Sequence, residues 1–245
     1  MLLSDRGTNI LIDAGISMKR ISAALASEEL TLRDIGGVLV THEHSDHIMG
    51  LGMLAKHSEI QIYAPHTVTN RLRGSIPEAQ GHLHIIPVGE SFELDKLTVT
   101  AFRTPHDTDE SVGYRIEGSS VFAIATDMGH VTPEVEAGLY GAQTVLIESN
   151  HDEMMLRYGP YPAQLKRRIL SDNGHLSNDS CAALARHLAS NGTENIILGH
   201  LSRENNRPEI AMDCALKATA GTGVKLYCAP VLGKLCIDME EVCLT

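Results

Sequence analysis

The chain places four residues that can bind a metal ion within six positions. His42, His44, Asp46 and His47 form the pattern H-x-H-x-D-H. Imidazole nitrogens and carboxylate oxygens are ligands that suit zinc, manganese or iron. The pattern directly follows an apolar run at residues 37–41 (GVLVT), so we expect the four side chains on a tight loop at the end of a strand. A solvated histidine-rich loop is the alternative, but such a loop would need no apolar strand before it. The pattern therefore indicates a metal site.

The elements that must position these side chains are predicted to form a single α/β domain over residues 1–245. The chain has 245 residues and contains no linker, low-complexity tract or internal repeat. Short β-branched runs alternate with helical patterns, which predicts two sheets packed face to face with helices outside, a four-layer αββα sandwich. We predict strands over residues 9–13, 37–41, 60–64, 144–150 and 195–201. We predict helices over residues 17–30 (capped by Ser17), 47–57, 161–171, 177–191 and 208–220. A hairpin is predicted over residues 224–239.

Composition argues against several classes of protein. No apolar run reaches the roughly 18 residues that a membrane span needs, and the start lacks the pattern of a signal peptide. Five cysteines without a CxxC pair argue against a disulfide framework and a thiolate zinc site, which favours the cytoplasm. The net charge of −11 argues against a broad surface for nucleic acid, although it leaves room for a local basic patch.

Residues 41–47 (THEHSDH) resemble the signature of the metallo-β-lactamase superfamily. That superfamily has further conserved positions at later strand ends, and matching residues stand in LIDAG, RTPHD, IATDMG and ILGHLS. The resemblance implies the metallo-β-lactamase fold and two divalent ions, zinc or manganese. One ion would be bound by His42, His44 and His106, the other by Asp46, His47 and His200, with Asp127 as a bridge. Asp13 would brace the ligand loop by hydrogen bonds, although a role as a turn cap explains it equally well.

Motifs in the second half narrow the substrate class. Residues 148–152, 159–178 and 198–206 closely resemble the YycJ/WalJ-like nuclease group and, more loosely, tRNase Z. The resemblance implies a bacterial, cytoplasmic phosphodiesterase, namely a 5′-to-3′ DNA exonuclease that uses a hydroxide held by two metal ions. It also implies that Glu148 and His175 assist proton transfer at the leaving group. The predicted catalytic residues are therefore Asp46, Asp127, Glu148 and His175.

Basic residues near these motifs independently favour an anionic substrate. The candidates for phosphate binding are Lys166, Arg167, Arg168 and Arg203. Their side chains can pair with phosphate oxygens by charge-assisted hydrogen bonds. A solvated helix face explains any single one better, but the group favours a nucleic acid, with DNA as the expected partner. Tyr158 and Tyr161 are the aromatic residues nearby, too few for a general single-strand platform.

Two alternatives and one departure from the superfamily remain. A small-molecule ester, thioester or lactone hydrolase of the same fold is one alternative. A non-catalytic metal-binding regulatory protein is the other, but it would be expected to lack a ligand, and all seven ligand positions are filled.

The start of the chain departs from the superfamily. Proteins of the superfamily usually begin with one more strand and a GSSGN-type turn before LIDAG, so the short start leaves open whether the first edge strand is missing. The sequence does not specify the oligomeric state.

Overall fold

The computed structural model describes residues 1–230 and 233–237 of the chain. The strands are β1 (Leu2–Asp5), β2 (Thr8–Ile12), β3 (Ile35–Leu39), β4 (Ile62–Ala64), β5 (Leu83–Ile85), β6 (Ser91–Leu94), β7 (Leu97–Arg103), β8 (Val112–Glu117), β9 (Val121–Ala125), β10 (Thr144–Glu148), β11 (Asn195–Gly199) and β12 (Lys225–Cys228). The α-helices are α1 (Met18–Ala26), α2 (Ser45–Ile48), α3 (Leu51–His57), α4 (His66–Ser75), α5 (Pro133–Leu139), α6 (Glu153–Tyr158), α7 (Ala163–Ile169), α8 (Asn178–Ser190) and α9 (Pro208–Ala218).

The strands form two mixed sheets. The first has five strands in the order β1-β2-β3-β4-β5, with β1 antiparallel to β2 and the others parallel. The second has seven strands in the order β12-β11-β10-β9-β8-β7-β6, with β9 to β12 parallel and β6 antiparallel to β7. Within the described residues, no helix is both long and apolar enough to cross a membrane.

The chain divides into two compact units. The first unit comprises Met1–Arg103, Thr108–Val112 and Ile116–Ser119, and the second comprises Thr104–Asp107, Gly113–Arg115 and the described residues from Ser120 onward. The single-domain organisation expected from the sequence stays a prediction.

The first unit contains a hydrophobic core between its helices and the five-stranded sheet. Ile21 and Leu25 of α1 are four residues apart, so they lie on one face of the helix and are buried together. Leu51 and Leu54 of α3 and Val38 of β3 belong to the same buried cluster. This packing holds β3, and the loop that follows it, against the helices.

The second unit is built on parallel strands whose side chains are almost all buried. Every residue of β11 is buried, and four of the five residues of β10 are buried, as expected for a parallel sheet covered on both faces. The carboxyl ends of β9, β10 and β11 lie at the same edge because these strands are parallel. Asp127, Glu148 and His200 stand at or just after these strand ends.

The structure confirms the predicted strands at residues 9–13, 37–41, 60–64, 144–150 and 195–201, with bounds that differ by a few residues. An edge strand, β1, precedes the strand that leads to Asp13, so the first edge strand, whose presence the sequence left open, is present. The first strand of the predicted closing hairpin is β12, which instead pairs parallel with β11. The second strand of that hairpin is predicted within residues 233–239. Residues 233–237 do not form a strand, and residues 238–239 lie outside the described residues.

The helix predicted over residues 47–57 is wrong as one element, because the chain forms α2 and α3 there. The backbone N–H of Gly50, between the two helices, donates to the carbonyl of Ala14 at 2.7 Å. A side chain at position 50 would meet the carbonyl oxygen of Ile16 at 2.3 Å, so this close contact requires glycine. The helix predicted over 17–30 ends at Ala26, and Ser17 stands at its N-cap without a side-chain capping bond.

Candidate metal centre

In the first unit, the loop after β3 brings the predicted ligands of residues 42–47 close together. The rings of His42 and His44 have centroids 4.6 Å apart, and those of His42 and His47 are 4.2 Å apart. Nε2 of His47 lies 3.7 Å from Oδ2 of Asp46. His42 and His47 are buried, whereas Asp46 is exposed. Three imidazoles and a carboxylate in one place are a donor set that fits a divalent metal ion.

Asp13 orients this loop by accepting three hydrogen bonds. Its Oδ1 accepts from the backbone N–H of Thr41 at 2.8 Å, and its Oδ2 accepts from the hydroxyl of Thr41 at 2.9 Å. Oδ2 also lies 2.7 Å from Nδ1 of His47. A carboxylate can only accept, so Nδ1 of His47 carries the proton and Nε2 keeps its lone pair. Carboxylates that support metal-binding histidines act in this way.

Gly15 permits the close packing of the Asp13 strand end against the ligand loop. The N–H of Ala14 donates to the carbonyl of His47 at 2.8 Å. A Cβ atom at position 15 would lie 1.6 Å from the carbonyl oxygen of Asp46, which no side chain could tolerate. The motif LIDAG therefore supplies both the carboxylate and the space that this loop needs.

In the second unit, Asp127 lies at the centre of the predicted ligands. Its Oδ1 is 3.7 Å from Nε2 of His106 and 3.6 Å from Nε2 of His200. Nδ1 of His106 lies 3.2 Å from the carbonyl of Gly174, to which it donates, so its Nε2 is directed toward the carboxylate. Asp127 and His200 both have a φ of +56°, a left-handed backbone that is uncommon outside glycine and often found at functional sites.

Glu148 is a fully buried carboxylate that accepts four hydrogen bonds. Oε1 lies 2.7 Å from Nδ1 of His175 and 2.8 Å from Nδ1 of His200. Oε2 accepts from the backbone N–H groups of Met128 at 3.0 Å and Leu176 at 3.2 Å. Burial raises the pKa of Glu148, but the hydrogen bonds from the two histidines and their charges together outweigh burial and hold the pKa below its usual range. Glu148 is therefore an anion that fixes both rings.

The second unit contains a four-residue group whose donor atoms lie within 4.8 Å of one another: Asp127, Glu148, His175 and His200. The four lone-pair directions of the Glu148 carboxylate are already occupied by N–H donors, so we assign it an orienting role and not a ligand's. The same bonds leave Nε2 of His175 and of His200 as the unprotonated ring nitrogens when these rings are neutral. Burial lowers the pKa of His175, but the hydrogen bond to Glu148 and the negative charges of Glu148 and Asp127 together outweigh burial, so the net pKa lies above its usual value.

A buried network of asparagine and serine side chains connects the loops that carry these residues. The side-chain amide of Asn206 donates to the carbonyls of Ser149 and Asn150 at 2.8 and 3.0 Å, and to Oδ1 of Asn178 at 2.8 Å. Asn178 also accepts from the hydroxyl of Ser149, and the amide of Asn150 donates to the carbonyl of His200 at 2.9 Å. Sequence analysis did not identify these supports, although each stands in one of the motifs that carried the nuclease resemblance.

The four predicted phosphate-binding residues have different surroundings. The ammonium of Lys166 donates to two backbone carbonyls at 2.8 Å each, and the guanidinium of Arg168 pairs with Asp107. Arg167 is exposed on α7, and Arg203 is exposed on the loop after His200. Lys166 and Arg168 therefore already have partners within the second unit.

Solved structures of related shape identify the class of fold. Zn²⁺-bound PqqB from Methylobacterium extorquens matches with a TM-score of 0.72 at 19% identity, over 97% of this chain and 86% of that one. The metallo-β-lactamase fold protein YhfI from Bacillus subtilis matches with a TM-score of 0.70 at 17% identity, over 93% and 87%. At these identities the likeness concerns the fold alone. The expected metallo-β-lactamase fold is confirmed.

Sequence comparison then identifies the family. The model of the β-lactamase superfamily domain matches residues 8–201, so the chain belongs to this family. The chain is 39% identical to exodeoxyribonuclease YycJ of Bacillus anthracis over 206 residues, 82% of this chain and 77% of that protein. It is 36% identical to exodeoxyribonuclease WalJ of Streptococcus pneumoniae over 230 residues, 89% and 85% of the two chains. The predicted family and the prediction of a metal-dependent hydrolase are confirmed.

Proposed function

We propose that this protein is a metal-dependent DNA exonuclease that degrades a strand in the 5′-to-3′ direction in the cytoplasm. The observation that carries the proposal is the Glu148–His175 pair beside the candidate ligands of the second unit. The similarity to two exodeoxyribonucleases over more than four fifths of this chain supports a DNA substrate. The family model matches residues 8–201, which supports a single functional unit over those residues.

The proposed ligands of two divalent ions, zinc or manganese, are the seven residues that the family resemblance implies: His42, His44, Asp46, His47, His106, Asp127 and His200. When bound, the ions would lower the pKa of a coordinated water and stabilise the charge that develops on the phosphate. Asp13 and Glu148 support this assignment, because each holds a ligand histidine by Nδ1 and leaves its Nε2 for the metal.

His175 is the proposed general acid. Glu148 holds its Nδ1, so its Nε2 is the atom that can transfer a proton to the leaving 3′-oxygen. The products would be a 5′-phosphate and a 3′-hydroxyl.

The first experiment tests substrate, polarity and metal dependence together. The chelator-treated protein is given manganese or zinc, with DNA labelled at either end, RNA of the same sequence, or a chromogenic ester. We expect metal-dependent release of mononucleotides from the 5′ end of DNA. Ester hydrolysis without DNA cleavage would support the small-molecule alternative and contradict the proposal. Cleavage from the 3′ end would contradict the polarity alone.

The second experiment separates ligands from the acid. Asp127→Ala should lose metal and activity together. His175→Ala should keep its metal and lose on the order of 10²–10⁴ in rate on DNA, the range typical of general acid–base catalysis. The loss should be smaller on bis(p-nitrophenyl) phosphate, because p-nitrophenolate leaves without a proton.

His187→Ala is the matched control, because His187 is also held by a glutamate but lies on the exposed face of α8. It should retain wild-type metal content and activity. Full activity of His175→Ala on DNA would contradict the assignment of the acid. Loss of metal from His175→Ala would make His175 a ligand.

A further inference from the structure

The second unit contains a cavity of about 360 Å³ beside His175 and His200. This volume is near the lower end of the roughly 300–1,000 Å³ typical of ligand pockets. Leu165 and Ile169 contribute an apolar wall, since they lie four residues apart on one face of α7. Tyr161, just before this helix, adds an aromatic ring that is partly exposed.

The lining of the cavity also contains polar and charged residues. They include Ser202 and Arg203, which follow His200 on the same loop. The two other charged lining residues, Asp107 and Arg168, pair with each other. Among the described residues, the guanidinium of Arg203 has no hydrogen-bond or ion-pair partner, so it is the charge available to a ligand. A lining that combines apolar side chains, an aromatic ring and an arginine suits a flat base attached to a phosphate.

We propose that this cavity binds the nucleotide on the leaving-group side of the scissile bond, with its base stacked on Tyr161 and a phosphate paired with Arg203. The inference rests on the proposed function, because there is a leaving 3′-oxygen for His175 to protonate only if a DNA strand is the substrate. In a 5′-to-3′ exonuclease the leaving 3′-oxygen belongs to the 5′-terminal nucleotide. The cavity therefore binds the terminal nucleotide that is released in each cycle, and Tyr161 is a residue that positions it.

The test compares the full-length, metal-loaded protein on DNA strands that differ in one base. One strand has an intact 5′-terminal nucleotide, one has an abasic 5′-terminal nucleotide, and one has an abasic site several nucleotides inside. Removal of the terminal base should lower kcat/KM by roughly 5- to 150-fold, which corresponds to the stacking of one base. The internal abasic site should have little effect on the first cleavage. A wild-type protein that treats all three strands alike would overturn the inference, and this result needs no variant.

Variants assign the effect to Tyr161. Tyr161→Ala should lower kcat/KM on the intact strand by the same factor and should no longer discriminate against the abasic strand, whereas Tyr161→Phe should behave like wild type. Tyr158→Ala is the matched control, because Tyr158 lies three residues away, is 80% exposed and does not line the cavity. Metal content, measured in all four proteins, should be equal, so that a change in kcat/KM does not reflect a folding defect.

The outcomes separate this inference from the proposed function. Metal-dependent DNA cleavage with an abasic effect that survives in Tyr161→Ala, or that is lost in Tyr158→Ala, would overturn the inference alone. Absence of DNA cleavage by the wild-type protein would overturn the proposed function and this inference with it.

Discussion

Replacing Asn206 with alanine is expected to destabilise the protein far more than the same change at the adjacent Asn205. Both side chains are buried, with exposed fractions of 5% and 0%. Asn205 makes one long side-chain bond, from its amide to the hydroxyl of Ser202 at 3.5 Å, and its Oδ1 has no partner among the described residues. Asn206 makes five side-chain bonds. Because the two substitutions remove the same atoms from equally buried positions, the difference between them isolates hydrogen bonding from lost volume.

The magnitude follows from the groups that lose a partner. Asn206→Ala removes the donors to the carbonyls of Ser149 and Asn150, and both bonds to the side chain of Asn178. It also removes the acceptor for the N–H of Arg207, at 2.9 Å. The carbonyl of Asn150 and Oδ1 of Asn178 keep another donor each. Three groups remain unpaired, at about 1–3 kcal/mol each, so we expect a loss of roughly 3–9 kcal/mol. Asn205→Ala should cost less than about 1 kcal/mol from hydrogen bonding by the same reasoning.

Urea unfolding followed by circular dichroism measures this difference. The protein is kept in a chelator, so that metal binding does not add to the free energy of unfolding. A lower midpoint at an unchanged slope would report a loss of stability without a change in the surface exposed. If Asn206→Ala unfolds at the same urea concentration as Asn205→Ala, the network does not stabilise the loops of the second unit and the reasoning is refuted.

Two further predictions concern the first unit and a buried thiol. Asp13→Asn should weaken metal binding by about 10- to 100-fold, because the amide cannot accept all the hydrogen bonds that orient His47 and Thr41. Competition with a chromophoric chelator measures the metal affinity, and the exposed Asp34→Asn in the same unit is the control. An unchanged affinity in Asp13→Asn would contradict the orienting role. Burial raises the pKa of Cys181 to about 12, so its thiolate fraction at mildly alkaline pH is far below that of an ordinary thiol. Mass spectrometry after iodoacetamide treatment should find Cys181 modified only after denaturation, and rapid labelling in the native protein would show that it is accessible.

The sequence is sufficient to predict the strands that carry the candidate ligands, because those strands are apolar runs with a polar residue at the end. It predicts β2, β3, β10 and β11 for this reason. It does not predict β1, whose residues include exposed polar positions and which is defined by its pairing with β2. The sequence also does not predict the break between α2 and α3, because the helical pattern continues through Gly50. The backbone N–H of Gly50 instead donates to the carbonyl of Ala14, and the helix is interrupted there.

The supports of the site are harder to predict than its ligands. A histidine followed by a histidine and an aspartate has a spacing that indicates metal binding, whereas Asn178 and Asn206 are separated by 28 residues and their contact exists only in the folded chain. Backbone strain is hidden in the same way. Asp127 and His200 adopt a left-handed conformation at their strand ends, although neither is glycine, the residue type that usually indicates this conformation in a sequence.

The two units orient their histidines by the same physical device. Asp13 holds Nδ1 of His47 in the first unit, and Glu148 holds Nδ1 of both His175 and His200 in the second. In each case a carboxylate that is not itself a proposed ligand selects the tautomer and sets the direction of Nε2. One carboxylate in the second unit thus serves two chemically different tasks, because the same oxygen orients a proposed metal ligand and a proposed acid. The two roles differ only in what each Nε2 faces, so the position of the loops, which Asn206 and its partners maintain, decides which histidine binds metal and which transfers a proton.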